Sequence, residues 1–220
     1  MLLKDLSDAI AGLVERAKGS VVEVHGRWRF PSTGTVWGPE LVVTAAHTLR
    51  REGGFAVVGS DGVSRPAEVV GVHAGLDLAL LRVPGLTAAA PEWRDEGERI
   101  GEIVIPVGCR RGSVGAALGL LAAVGPAWST RRGAEIDRWI EVDGTLPRGF
   151  SGGPLVASDG AFLGINTTAL VPGGTTIPAP TVRRVVERLL AHGSVKPGFL
   201  GVSVQGVALP AAVAAAAGQA

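Results

Sequence analysis

The spacing of apolar residues near the start of the chain is that of one face of a helix. The residues of this stripe are Leu3, Leu6, Ile10, Leu13 and Val14. They predict an amphipathic helix within residues 1–20. From residue 21 onward the pattern changes to short runs rich in Val, Ile, Leu and Thr, broken by Gly, Pro, Asp or Ser. Such runs are typical of short strands joined by tight turns.

The strand runs fall into two groups, separated by the polar, proline-containing segment at 86–101. We therefore expect one barrel over about 21–90 and a second over about 100–180. After them, helical spacing returns and predicts a closing helix over about 181–193, capped by Gly193. The apolar residues of that helix are Val182, Val185, Val186, Leu189 and Leu190. The sequence thus predicts an all-β protein of two barrels with a helix at each end.

Composition narrows the possible functions. The chain has 220 residues, 46% of them hydrophobic and 19% charged, which indicates a folded globular protein. A net charge of +1 gives no electrostatic reason to expect nucleic acid as a partner. The paired arginines, among them Arg131–Arg132, are interpreted as solvated turns or helix faces.

Cysteine and histidine usage predicts neither a metal nor another cofactor. Cys109 is the single cysteine, so an intramolecular disulfide and a cysteine-based metal site are excluded. The four histidines are scattered, without the spacing of a zinc site. The first residues are charged throughout and lack the apolar core of a signal peptide, and we find no membrane-spanning run of ~18 apolar residues. As written, the chain is therefore expected to be soluble and not exported.

The stretch RGFSGGPL, residues 148–155, places Ser151 among three glycines with a proline close behind. Two interpretations compete. Gly, Ser and Pro dominate tight turns between strands. Alternatively, Ser151 is a nucleophile, and the glycines let backbone N–H groups approach a developing oxyanion. A serine hydroxyl is a weak nucleophile at neutral pH, so the second interpretation requires an adjacent base.

Two residues upstream could supply that base and its partner. His47 ends the run LVVTAAH, and Asp77 opens the otherwise largely apolar run DLALLRV. A carboxylate there is costly to bury unless a donor pairs with it, and an imidazole N–H is such a donor. Alone, His47 could be a core histidine and Asp77 a turn cap. Together with Ser151 they fit one arrangement, with the site in the cleft between the two barrels.

The strings VVTAAH, DLALLRV and GFSGGPL resemble the three signatures of chymotrypsin-fold serine peptidases. More narrowly, the chain is similar to the HtrA/Deg branch of that family, from about Leu6 to Val204. The supporting strings are LVERAKGSVVEV, STGTV, WIEVDGTLPRGFSGGPLV and GINTTAL, together with the closing helix. The resemblance implies two six-stranded antiparallel barrels of the chymotrypsin type. It also implies a serine endopeptidase that cleaves unfolded polypeptides, assembles as a homotrimer and commonly works in the bacterial periplasm or cell envelope.

The same resemblance assigns roles to residues. His47, Asp77 and Ser151 are expected to form the catalytic triad, and the N–H groups of Gly149 and Ser151 the oxyanion hole. Thr145, six residues before Ser151, is expected at the base of the primary specificity pocket. Its walls are expected from Gly164, Ile165, Asn166 and Thr167 on one side and Thr175, Thr176 and Ile177 on the other.

The family pattern is not matched everywhere. Pro147-Arg148-Gly149-Phe150 stands where the family usually has Asn-Pro-Gly-Asn, so a latent site on a polypeptide-binding, chaperone-like module is the alternative function. The tail at 195–220 resembles the opening of a PDZ domain but is too short to form one, and a disordered alanine-rich end is the other interpretation.

The residues around the serine also match a motif of a second fold class. Residues 149–153 satisfy G-x-S-x-G, the nucleophile elbow of α/β-hydrolases. That elbow requires a helix directly after the serine and a histidine further along the chain. Residues 152–165 instead predict two strands around a turn at Asp159-Gly160, and His192 lies in a predicted helix. The α/β-hydrolase fold is therefore excluded.

Overall fold

The computed structural model describes residues 1–26, 30–50, 54–110 and 112–194. The predicted tail at 195–220 lies outside the described residues. The order of elements is a helix, two groups of antiparallel strands and a second helix. The all-β class with two barrels and flanking helices is confirmed.

The first barrel is closed by six antiparallel strands in the order β1-β2-β3-β6-β5-β4. The strands are β1 (Val21–His25), β2 (Ser32–Gly38), β3 (Leu41–Ala45), β4 (Phe55–Val58), β5 (Ser64–His73) and β6 (Leu78–Arg82). Val24, Val36, Val42 and Val57 are fully buried inside it. Strands β2 and β3 form a hairpin, and Glu40 in its turn has a φ of 56°.

The second group of strands curls into a barrel-like sheet in the order β12-β9-β7-β13-β14-β15, with β8 paired to β7. Its strands are β7 (Ile103–Arg110), β8 (Ser113–Ala116), β9 (Gly119–Gly125), β12 (Trp139–Val142), β13 (Pro154–Ala157), β14 (Phe162–Thr167) and β15 (Thr175–Pro178). A small separate hairpin is formed by β10 (Trp128–Ser129) and β11 (Glu135–Ile136). The sheet's two outer strands approach each other where the Thr175 hydroxyl donates to the Ile140 carbonyl at 3.1 Å.

Both helices pack on the barrels, but not along their whole predicted stripes. Helix α2 (Ala179–His192) buries four of the five apolar residues of its predicted stripe, whereas the fifth, Leu190, is 47% exposed. Helix α1 (Leu2–Lys18) buries Leu13, while Leu3 is 82% exposed and Leu6 is 45% exposed. The first half of the α1 stripe, Leu3 and Leu6, is therefore exposed to solvent.

Three chain segments that carry the candidate residues meet between the barrels. They are the end of β3, the loop before β6 and the turn before β13. After Ser151 the chain runs into β13 and β14 around the turn at Asp159-Gly160. The two strands expected there are confirmed, and the helix that a nucleophile elbow requires is not formed.

Candidate active site

His47 and Asp77 are placed by neighbouring strands of the first barrel. β3 and β6 are paired, and Ala45 at the end of β3 lies opposite Leu78 at the start of β6. His47 follows β3 in a short 3-10 helix (Ala46–Thr48), and Asp77 directly precedes β6. Asp77 has a φ of 54°, a left-handed conformation that costs energy for a residue with a side chain. This backbone turns its carboxylate toward the histidine.

The Asp77 carboxylate accepts hydrogen bonds from three donors. Its Oδ1 accepts the backbone N–H of His47 at 2.8 Å, and its Oδ2 accepts His47 Nδ1 at 2.7 Å. The Thr167 hydroxyl also donates to Oδ2. Asp77 is 4% exposed, so these donors replace the water that the carboxylate loses on burial. Because a carboxylate only accepts, Nδ1 of His47 carries a proton, and in the neutral imidazole Nε2 then keeps a lone pair.

Ser151 is held by the residue after Thr167. The Ser151 hydroxyl lies 3.1 Å from the hydroxyl of Thr168, and the Thr168 backbone N–H donates to Ser151 Oγ at 3.3 Å. Two adjacent threonines at the end of β14 therefore contact the candidate catalytic residues. Thr167, the last residue of the strand, contacts Asp77, and Thr168, which follows it, contacts Ser151. Residues far apart in the sequence are brought to one place between the barrels.

The turn before Ser151 depends on glycine. The Phe150 N–H donates to the Pro147 carbonyl at 3.2 Å, and Gly149 has a φ of 96°. A type II turn requires a positive φ at this position, which L-residues with a side chain disfavour. A Cβ on Gly149 would also lie 2.6 Å from the carbonyl oxygen of Cys109. Glycine at 149 therefore sets which way the Arg148–Gly149 peptide faces.

Strand β2 of the first barrel is hydrogen-bonded to this turn through two threonine side chains. The buried Thr33 hydroxyl accepts the Cys109 N–H at 2.6 Å and donates to the Gly149 carbonyl at 2.6 Å. Two residues along, the Thr35 hydroxyl donates to the Gly152 carbonyl at 2.9 Å. Alternate residues of a strand share one face, so both hydroxyls reach the same turn.

Sequence reasoning assigned no individual role to Thr33, Thr35 or Thr168, and it predicted Thr167 as a wall of the specificity pocket, not as a hydrogen-bond partner of Asp77. The local signal for the first pair was the alternation of threonines in STGTV. For the second pair, it was the polar Thr-Thr that interrupts the apolar strand in GINTTAL. Both signals are weak without the tertiary contacts that give them meaning.

Some of the residues expected around the specificity pocket line one cavity, and others lie in the core. Thr145 lines a cavity of about 100 Å³ together with Thr175 and Thr176. Ile165 and Ile177 are instead fully buried in the core. The structure thus brings three of the predicted residues to a common cavity and leaves both isoleucines outside it.

The remaining three residues of the predicted wall lie in β14. Gly164 packs so closely that a Cβ there would lie 2.0 Å from the Ile177 carbonyl oxygen. The Asn166 amide is buried and donates to the Pro154 carbonyl at 2.8 Å. Thr167 contacts Asp77, so its hydroxyl positions the acid.

Two titratable side chains near the site stay neutral at neutral pH. Burial, and to a lesser degree the Glu23 carboxylate, raises the pKa of the Cys109 thiol to about 12. The neighbouring thiol is therefore no competing nucleophile. Burial, with Arg188 and Arg184 nearby, lowers the pKa of His73 below its usual value. The neutral ring accepts the Leu76 N–H at 3.2 Å on Nδ1 and so supports the loop that leads to Asp77.

Within the described residues, no group of three or more His, Cys, Asp or Glu side chains is arranged to hold a metal ion. The helices among those residues are too short or too polar to cross a membrane.

The chain is similar to known peptidases over most of its described length. The family described as "Trypsin-like peptidase domain" matches residues 32–165. A protein of Brucella suis biovar 1 (strain 1330), named "Probable periplasmic serine endoprotease DegP-like", is 31% identical over 180 residues, covering 76% of this chain and 34% of that protein. A protein of the same name from Bartonella henselae is 32% identical over 179 residues, with the same coverage of 76% and 34%.

A solved structure, "Crystal structure of Deg5", superimposes with a TM-score of 0.74 at 23% identity, covering 86% of this chain and 97% of that one. It supports the fold. The chain spans 34% of the length of these two curated relatives. The resemblance to the HtrA/Deg branch that the sequence indicated is confirmed.

Proposed function

Because the chain belongs to the trypsin-like peptidase domain family, we propose that it is a serine endopeptidase of the HtrA type, acting on unfolded or misfolded polypeptides. The observation that carries this proposal is the pair of adjacent threonines at the end of β14. Thr167 contacts Asp77, and Thr168 contacts Ser151. One strand end thereby ties the acid of the first barrel to the serine of the second.

In the proposed reaction, Ser151 Oγ attacks the carbonyl carbon of the substrate's peptide bond while Nε2 of His47 takes the hydroxyl proton. The C–N bond then breaks, and the imidazolium returns that proton to the leaving amine. A water molecule, deprotonated by His47 in turn, hydrolyses the acyl-enzyme and frees Ser151. Asp77 stays ionised throughout and stabilises the imidazolium through the bond to Nδ1.

The oxyanion that forms at each step needs donors. We assign these to the backbone N–H groups of Gly149 and Ser151. The type II turn at Gly149, with the Phe150 N–H bonded to Pro147, supports this assignment. Fixed donors cost no reorganisation when the charge develops, so the turn contributes to the rate only while it keeps this shape.

The direct test of the function is digestion of a permanently unfolded protein. We expect the purified chain to hydrolyse casein and to leave a stably folded protein of similar size intact, because an endopeptidase cleft takes an extended segment. Mass spectrometry of the products should show internal cuts. Binding of casein without any cut would favour the latent, chaperone-like module instead.

Thr33 is proposed as a positioning residue. In Thr33→Val the hydroxyl between Cys109 and Gly149 is lost, and we expect kcat to fall roughly 10- to 100-fold with little change in KM, because the turn holding the oxyanion donors is displaced. Thr33→Ser keeps the hydroxyl and should restore most of kcat. Equal losses in both variants, or a loss in KM alone, would contradict the role.

The primary specificity pocket is proposed at the cavity lined by Thr145, Thr175 and Thr176. Their hydroxyls carry no charge, and burying an unpaired lysine or arginine is strongly unfavourable. Asp143 also lines the cavity but is exposed, so water screens its charge. We expect cleavage after Val, Ala or Leu. The preference should be broad, since each methylene changes discrimination by only ~1–3 kcal/mol. Sequencing the products tests this, and a majority of cuts after Lys or Arg would contradict it.

A homotrimer is proposed on the exposed first half of α1. Leu2, Leu3 and Leu6 are 84%, 82% and 45% exposed, an apolar surface that assembly would remove from water. Light scattering of the wild-type chain should give a trimeric mass, and Leu3→Glu should reduce it to a monomer. A monomeric mass of the wild type at high concentration would contradict the trimer while leaving the catalytic proposal intact.

A further inference from the structure

A large cavity lies directly beside His47 and Asp77, separate from the one that Thr145 lines. Its volume is about 420 Å³. His47 and Asp77 form part of its wall, and Leu170 borders it from the chain segment after β14. Arg131 and Arg132 also line it. The arginine pair that the sequence presented as a solvated turn therefore borders the candidate catalytic cleft.

The two arginines sit in the turn of the small β10–β11 hairpin, and the turn is fixed. The Gly133 N–H donates to the Thr130 carbonyl at 2.8 Å, closing the turn. The Thr130 hydroxyl donates to the Gly75 carbonyl at 3.0 Å, and Arg132 Nη1 donates to the Ala74 carbonyl at 3.0 Å. Both acceptors belong to the loop that leads to Asp77. The arginine turn thus has a defined position relative to the catalytic residues.

The positive charges of Arg131 and Arg132 are not paired with a carboxylate of the described residues. The Asp77 carboxylate in the wall is buried and bonded to His47 and Thr167. Arg50, whose Nε donates to the His47 carbonyl at 3.2 Å, adds a further positive charge nearby.

We propose that this cavity is a subsite that binds an Asp or Glu side chain of the polypeptide substrate through Arg131 and Arg132. A guanidinium matches a carboxylate with two parallel hydrogen bonds, and such charge-assisted bonds are stronger than neutral ones. The inference rests on the proposed endopeptidase function and narrows its substrates to unfolded segments that carry acidic residues near the cleaved bond.

The path of the chain places the acidic residue on the amino-terminal side of that bond. Ser151 contacts Thr168, and the following Ala169 and Leu170 lead from the serine to the cavity. This segment continues β14, whose last residue, Thr167, pairs with Thr175 of the proposed specificity pocket. An extended peptide advances about 3.3 Å per residue, so the cavity is reached about two to four residues before the cut.

The test begins with a mixture of unfolded proteins digested by the wild-type chain, whose cut sites are sequenced. We expect Asp and Glu to be enriched two to four residues before the cut. Matched fluorogenic peptides built on a preferred site, with Glu, Gln or Lys at the enriched position, then quantify the effect. At low salt kcat/KM should be about fivefold higher for Glu than for Gln, because an exposed ion pair contributes this much, and lower still for Lys. The ratio should shrink as salt rises.

Arg131→Glu supplies the decisive comparison, since the new carboxylate offsets the charge of Arg132 and should strongly reduce the preference for the Glu peptide over the Gln and Lys peptides. The control is Arg16→Glu, which changes the net charge equally but lies exposed on α1. It should leave the preference unchanged. Equal cleavage of all three peptides by both variants and the wild type would overturn the subsite while the endopeptidase function stands. If the mixture is not cut, or Ser151→Ala cuts it equally well, the proposed function fails and the subsite with it.

Discussion

Replacement of Ser151 by alanine is expected to lower kcat for casein hydrolysis by about 10⁴- to 10⁶-fold. The reason is the loss of the atom that bonds to the substrate carbonyl. The remaining structure should be kept, since the Ser151 side chain makes its hydrogen bonds only to Thr168 among the described residues. The rate is measured with purified protein, and circular dichroism confirms that the variant is folded.

His47→Ala should cause a loss of similar size, and the double variant Ser151→Ala, His47→Ala should lose no more than either single one. Residues that act as one unit give such non-additive effects. Ser60→Ala, at an exposed turn position, is the matched control and should keep full activity. Wild-type turnover by purified Ser151→Ala would refute the assignment of the nucleophile.

Asp77→Asn is expected to lower kcat by about 10⁴-fold while leaving the fold intact. Asparagine has nearly the same shape, and its amide oxygen can still accept the His47 backbone N–H that Oδ1 accepts now at 2.8 Å. The amide NH₂ would then face Nδ1 of His47 and donate to it. The imidazole proton moves to Nε2, and the base that Ser151 requires is lost.

Two measurements separate this account from simple destabilisation. The midpoint of thermal unfolding should change little, and nitrogen NMR of His47 should show the proton on Nε2 in the variant and on Nδ1 in the wild type. A variant that keeps kcat, or one whose histidine keeps its proton on Nδ1, would contradict the role of Asp77.

The sequence was informative where the signal is local. Alternating apolar runs and turn residues predicted the two groups of strands, and Gly193 marked the end of α2, where its N–H donates to the Leu189 carbonyl at 2.9 Å. The three strings around His47, Asp77 and Ser151 each lie at a strand end. The candidate triad could therefore be proposed before any contact was known.

What the sequence did not indicate depends on long-range contacts. The hydrogen bond from Thr33 to the Gly149 carbonyl joins residues 116 positions apart, and the one from Thr167 to Asp77 joins residues 90 positions apart. Strand β15 was not predicted as a strand, because TTIP is short and its burial comes from pairing with β14. The same limit applies to α1, whose apolar stripe is continuous in the sequence, although the structure leaves Leu3 82% exposed.

Whether Ser151 is an activated nucleophile is tested by treating the folded chain with a fluorophosphonate probe and locating the adduct by mass spectrometry of its peptides. Such a probe reacts with a serine only when an adjacent base activates it. We expect one adduct on Ser151, lost in Ser151→Ala and strongly slowed in His47→Ala. An adduct on a different serine, or a wild-type chain that cleaves casein without reacting at Ser151, would contradict the assignment of Ser151 as the nucleophile.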